Sequence, residues 1–93
     1  MRLMESPAPV VLEGAVPRFF FHVLDDAVSR DDEGLDLPDL EAARMEALAG
    51  MRGMICAQVM KGRLILNLRV DVQEDGGGTV LSLTFGDAVT IDP

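Results

Sequence analysis

This 93-residue chain holds one cysteine, one histidine and no tryptophan or tyrosine, and each scarcity removes a class of function. Cys56 alone cannot form an intrachain disulfide, which suits a reducing compartment. One Cys and one His also fall short of the ligands a zinc site needs. Basic residues are few. Eight Lys and Arg stand against sixteen Asp and Glu, a formal net charge of −8. Affinity for nucleic acid rests largely on phosphate neutralisation by Lys and Arg, so direct nucleic-acid binding is argued against. An anionic membrane surface is disfavoured for the same reason. Long apolar runs are missing too. The longest uncharged helical stretch, 53–60, is far below the roughly 20 residues that span a bilayer. Glu5, Glu13 and two prolines interrupt any signal-peptide core. The expectation is a cytoplasmic protein with no cofactor, and a basic protein partner is compatible with its charge.

What is present reads as one small globular domain, with 48% hydrophobic and 26% charged residues. Residues 1–16, with Pro7, Pro9 and Gly14, read as an N-terminal arm, with a short extended piece at Val10-Val11-Leu12. The domain proper is 17–93. Three of the four phenylalanines, Phe19, Phe20 and Phe21, stand side by side before His22. They fall in a strand of about 18–24, with Phe19, Phe21 and Val23 on one face and Phe20, His22 and Leu24 on the other. Two apolar faces imply a central strand or one covered on both sides. The stretch 25–34, with five acids and one Arg, reads as a loop.

"LDLPDLEAAR" is a strong helix start, with Pro38 suited to the first turn and acids where the helix dipole favours them. The helix is expected over 38–61 with Gly62 as its stop. Leu40, Ala43, Ala47, Leu48, Met51, Met54 and Ile55 form the core stripe. The opposite side should be polar, and instead it reads Ala42, Met45, Ala49, Gly53, Cys56 and Met60, with Glu46 and Arg52 beside it. Gly50 and Gly53 each cost a helix about 1 kcal/mol relative to Ala, which invites close approach of something else. Beyond Gly62, "LILNLRVDVQE" alternates, pointing Leu66, Leu68, Val70 and Val72 inward. "DGGG" marks a hairpin, and 79–85 returns with Leu81, Leu83 and Phe85 inward. The reading is an α+β fold of order β-α-β-β, one long helix on a small, three-stranded, mainly antiparallel sheet. The first strand is expected to pair antiparallel with the last or parallel with the second, the former preferred.

Candidate chemistry is thin. His22, on a strand between apolar neighbours, reads as a packed or hydrogen-bonded sheet residue. Cys56 shows no electropositive setting that would make a thiolate partner for it. Asp25, Asp26, Asp31, Asp32 and Glu33 lack the alternating spacing of a calcium loop and read as a solvated acidic loop. The glycines after Glu74-Asp75 precede neither a lysine nor a helix start, so they form a turn. Ser6, Ser29 and Ser82 sit in no nucleophile elbow. No catalytic, metal or cofactor residue is assigned.

Taken in order, "PRFFFHV", "DDEG", "LPDLEAARMEAL" and "LTFGDAV" resemble a family of small alphaproteobacterial proteins, a domain of unknown function, over about residues 17–89. Arg18, Phe20, Phe21, His22, Asp32, Gly34, Pro38, Leu40, Ala43 and Ala47 occupy its motif positions. Phe19 stands where that family usually has a tyrosine. The resemblance implies a compact bacterial domain and brings no activity or cofactor. The strand, acidic glycine loop and "LEAA" helix start are also similar to the antitoxin of the HicA–HicB toxin system, although that fold's second strand is missing here. Two functions follow. The first is a small homodimeric interaction module without catalytic activity, working through Met45, Ala49, Gly53, Cys56 and Met60 or through an open sheet edge. The alternative is a HicB-like antitoxin that masks a basic protein partner.

Overall fold

A computed structural model of the chain describes residues 16–93. The arm expected over 1–16, with Val10-Val11-Leu12, lies outside the described residues except for Val16. The elements are β1 (Arg18–Leu24), β2 (Val28–Ser29), β3 (Leu35–Asp36), α1 (Leu40–Met60), β4 (Arg69–Glu74), β5 (Thr79–Thr84) and the short α2 (Phe85–Ala88). The class is α+β. The sheet, however, has five strands rather than three, in the order β2-β1-β4-β5, with β3 also pairing β1. Every pairing is antiparallel.

The correction comes from the segment read as a plain acidic loop. β2 pairs with the end of β1, Val23 against Ser29 and Leu24 against Val28. β3 pairs with its beginning, Arg18 against Asp36 and Phe19 against Leu35. The chain therefore runs back along the whole of β1 before α1 starts. That return also decides the partner of β1. The helix climbs in the direction of β1, and β4 descends beside it, from Leu24↔Arg69 to Phe19↔Glu74. Neither expected pairing of the first strand occurs. Once the acidic segment has carried the chain back, no crossover between parallel neighbours is required.

The helix begins two residues later than its signals suggest. Asp39 is the N-cap, and its side chain accepts the N–H of Ala42 at 2.8 Å. Pro38 thus precedes the cap rather than opening the first turn. At the far end Gly62 takes φ +84, and the N–H groups of Lys61, Gly62 and Arg63 close on the carbonyls of Gln58 and Val59. Of the expected stripe, Leu40, in the first turn, is 44% exposed, whereas Ala43, Ala47, Leu48, Met51 and Ile55 are buried and Met54 partly so. They pack on Phe19, Val70, Val72 and Leu83, with Phe21, Val23 and Leu81 partly buried against them.

Two strand ends differ from the alternation. The run 64–68 is not strand. Leu68 N–H returns to the Ile65 carbonyl and Gln58 Oε1 accepts the Ile65 N–H, so the backbone turns before β4. Leu66 is consequently 63% exposed while Leu68 is 1% exposed. Phe85 is buried, but from α2 rather than from β5. The Asp87 carboxylate accepts both the N–H and the hydroxyl of Thr84, and this starts a helical turn where the sequence read only a strand end.

Candidate functional site

The five residues singled out on α1 do share one side. Met45, Ala49, Gly53, Cys56 and Met60 are all exposed, Met45 at 54% and Met60 at 86%. They form a stripe because they recur at three- and four-residue steps of a 3.6-residue period. A Cβ built on Gly53 would meet nothing within 4 Å. No charged side chain belongs to the stripe itself; Glu46 and Arg52 flank it. Two apolar sides on one helix, and a sheet that covers only one of them, leave this surface uncovered among the described residues.

The opposite, helix-free face of the sheet carries the only histidine. His22 is 8% exposed and bonded through both ring nitrogens. The Asp31 N–H donates to Nδ1 at 3.1 Å. Nδ1 is therefore the acceptor, the ring proton lies on Nε2, and Nε2 donates to Gln73 Oε1 at 2.8 Å. Gln73 passes its own N–H on to the Gly77 carbonyl at 2.9 Å. One line of hydrogen bonds thus ties the acidic segment, β1, β4 and the glycine hairpin. Cys56 is on the far side of the helix, with α1 and the sheet between it and His22, so no Cys–His pair is formed. A shallow depression of about 220 Å³ lies over His22, bordered by Arg30, Asp31 and Asp32. It offers no free ring nitrogen for proton transfer.

Asp31 is the residue whose part the sequence did not reveal. Its carboxylate accepts the N–H groups of Phe21, Glu33 and Gly34, each at 3.1 Å. The Phe21 amide would otherwise need a neighbouring strand. In the gap between β2 and β3 a side chain supplies that acceptor instead, and the outer edge of β1 is closed. Partial burial opposes its charge, yet the N–H groups of Gly34, Phe21 and Glu33 prevail and hold the carboxyl below its usual 3.8. Gly34 completes the arrangement. It takes φ +73, and an added Cβ would stand 2.9 Å from Arg18 Cγ, the Phe19 carbonyl oxygen and Phe20 Cε2. The available signal was the Asp-x-x-Gly spacing, a side-chain turn closed by a left-handed glycine.

The other acids disperse. Asp25 accepts the Ala27 N–H, and Asp26 pairs with Arg63 at 3.1 Å. Among the described residues no three His, Cys, Asp or Glu side chains converge as metal ligands. Ser82 donates to Asp71 at 2.7 Å, Ser29 lies exposed on β2, and Ser6 lies outside the described residues. No helix of the described residues is long and apolar enough to cross a membrane.

This arrangement coincides with a family model described as a domain of unknown function, DUF6894, which matches residues 18–86. The chain belongs to that family. The DUF6894 match opens on the first residue of β1 and ends within α2, so it takes in the acidic return segment, the His22 line and the whole of α1. No curated protein and no solved structure matches the chain.

Proposed function

We propose that this DUF6894 chain is a small interaction module, without catalytic activity of its own, that works as a homodimer through the outer side of α1. The observation that carries this reading is the exposed, charge-free stripe of Met45, Ala49, Gly53, Cys56 and Met60. A lone surface helix of an acidic protein would carry Lys and Glu there. Small residues admit a second backbone, and methionine adapts to an irregular facing surface. A two-fold contact would place the same stripe on both copies, bringing together the one side of α1 that adds little to the net charge of −8. With one long helix on a sheet of which two strands have two residues each, the core is small, and domains of this size gain stability by associating.

The test is sedimentation at tens of micromolar. The full chain should run as a dimer, Ala49→Glu as a folded monomer, and a chain lacking 1–15 as a dimer still. A monomeric full chain ends the proposal. The antitoxin-like alternative predicts instead that the chain silences a basic, toxin-sized, nucleic-acid-cleaving partner, which isolation from the native host and a cleavage assay with and without the chain would reveal.

A further inference from the structure

A second surface lies apart from that stripe. Between α1 and the β1 side of the sheet runs an open groove of about 350 Å³. Its floor is apolar: Phe21 and Val23 from β1, and Met51 and Met54 from α1. Each of its two banks carries one acid and no base, Asp31 on the return segment and Glu46 on the helix. Gly50 stands at its mouth, and a Cβ there would meet nothing within 4 Å. Asp31 keeps its charge in place through three backbone N–H donors. Glu46 makes no ion pair among the described residues.

We infer that this groove seats a basic segment of another protein, one large apolar side chain entering beside Gly50 while flanking Lys or Arg residues face Asp31 and Glu46. Charge decides between occupants. A second copy of a chain of net charge −8 would bring further acids to two acidic banks, whereas a basic segment is drawn to them and oriented by them. The apolar floor supplies the anchor pocket and the carboxylates the rim, the usual division of labour at a recognition site. Gly50 explains itself here, because any side chain at that position would narrow the entrance.

The experiment uses the full chain and three capped heptapeptides. One has a central phenylalanine among lysines, the second alanine in its place, and the third glutamates for the lysines. Methyl resonances of Met51 and Met54 report occupancy. The first peptide should shift both methyls, more weakly as salt rises, and each of the other two should bind at least about tenfold less tightly. Gly50→Leu should abolish the shifts while the domain stays folded, its melting temperature equal to or above that of the wild type because a glycine has left the helix interior. Because that variant also alters the helix, Glu46→Lys, at an exposed position, supplies a second arm and should weaken binding of the basic peptide. Equal binding of the acidic peptide, or no methyl shift at millimolar peptide, overturns the inference. So does a change in the Met51 and Met54 methyls on deleting residues 1–15, which would seat the arm there, or on simple dilution, which would seat a second copy.

Discussion

Replacing Asp31 by alanine is the sharpest single perturbation of this fold. Three hydrogen bonds end on its carboxylate, and they are unequal. The Glu33 N–H is exposed, so water replaces its partner at small cost. The Phe21 N–H is part-buried in the middle of β1, and nothing else in the gap between β2 and β3 accepts from it. A bond to a charged group contributes about 1.5–3 kcal/mol, and an abandoned buried donor costs about 1–3 kcal/mol. Counting the Phe21 bond at about 1.5–2 kcal/mol and the part-buried Gly34 N–H at about 0.5–1 kcal/mol, Asp31→Ala should destabilise by about 2–3 kcal/mol. For a domain of this length that lowers the melting temperature by roughly 10–20 °C. Asp31→Asn is also harmful, because whichever way the amide is turned its NH2 faces either the Phe21 N–H or the N–H groups of Glu33 and Gly34. Circular dichroism melts measure the loss, and hydrogen exchange of the Phe21 amide locates it. The pH dependence has a definite sign. The carboxyl ionises more readily folded than unfolded, so its contribution is complete above the unfolded value near 3.8 and is lost as pH falls through the lower folded value. The wild type should shed this increment in that acid window, and Asp31→Asn should have none to shed. A loss below about 0.5 kcal/mol with unchanged Phe21 exchange would refute the account.

Other perturbations follow from the same geometry. Gly34→Ala combines φ +73 with three contacts of 2.9 Å, so about 2 kcal/mol or more should be lost in urea denaturation. Neutral behaviour of that variant would show that the segment 30–34 relaxes freely. His22→Phe keeps a flat aromatic ring, slightly larger, but abandons the Asp31 N–H and Gln73 Oε1, and should lower stability by about 1–3 kcal/mol. Faster amide exchange at Asp31 should accompany it, and unchanged exchange there would remove His22 from the line.

The regular elements were legible because their periods are long enough to read. β1 occupies 18–24, as its pattern requires, since seven residues rich in Phe and Val leave little choice. α1 ran within two residues of its expected ends, marked by Asp39 and Gly62. The return segment was not legible for a physical reason. Two-residue strands have no period, and between them the edge of β1 is satisfied by one carboxylate rather than by backbone. Composition alone made Asp31 one acid among five. The turn at 64–68 departs from its sequence pattern for a different reason. Alternation persisted through Leu64, Leu66 and Leu68, but Gln58, a helix residue seven positions away from Ile65, captured the backbone and turned it. Tertiary hydrogen bonding overrode a local pattern.

The outer side of α1 was visible in sequence as an absence of charge at helical spacing, and the structure leaves those five residues exposed. The groove could not be seen that way. Its banks come from residues 31 and 46 and its floor from β1 and α1, which only the folded chain brings side by side. Sequence did supply one clue, two glycines in the middle of a helix. Each lowers helix stability by about 1 kcal/mol relative to Ala, and neither is required by backbone angle or by any neighbour within 4 Å. Glycines that a fold needs look like Gly34, held in a left-handed conformation against three atoms. Gly50 and Gly53 are the contrary case, destabilising to the isolated domain and facing two different surfaces. That combination is what a helix shaped for contacts outside its own domain would carry, one glycine toward the stripe and one toward the groove.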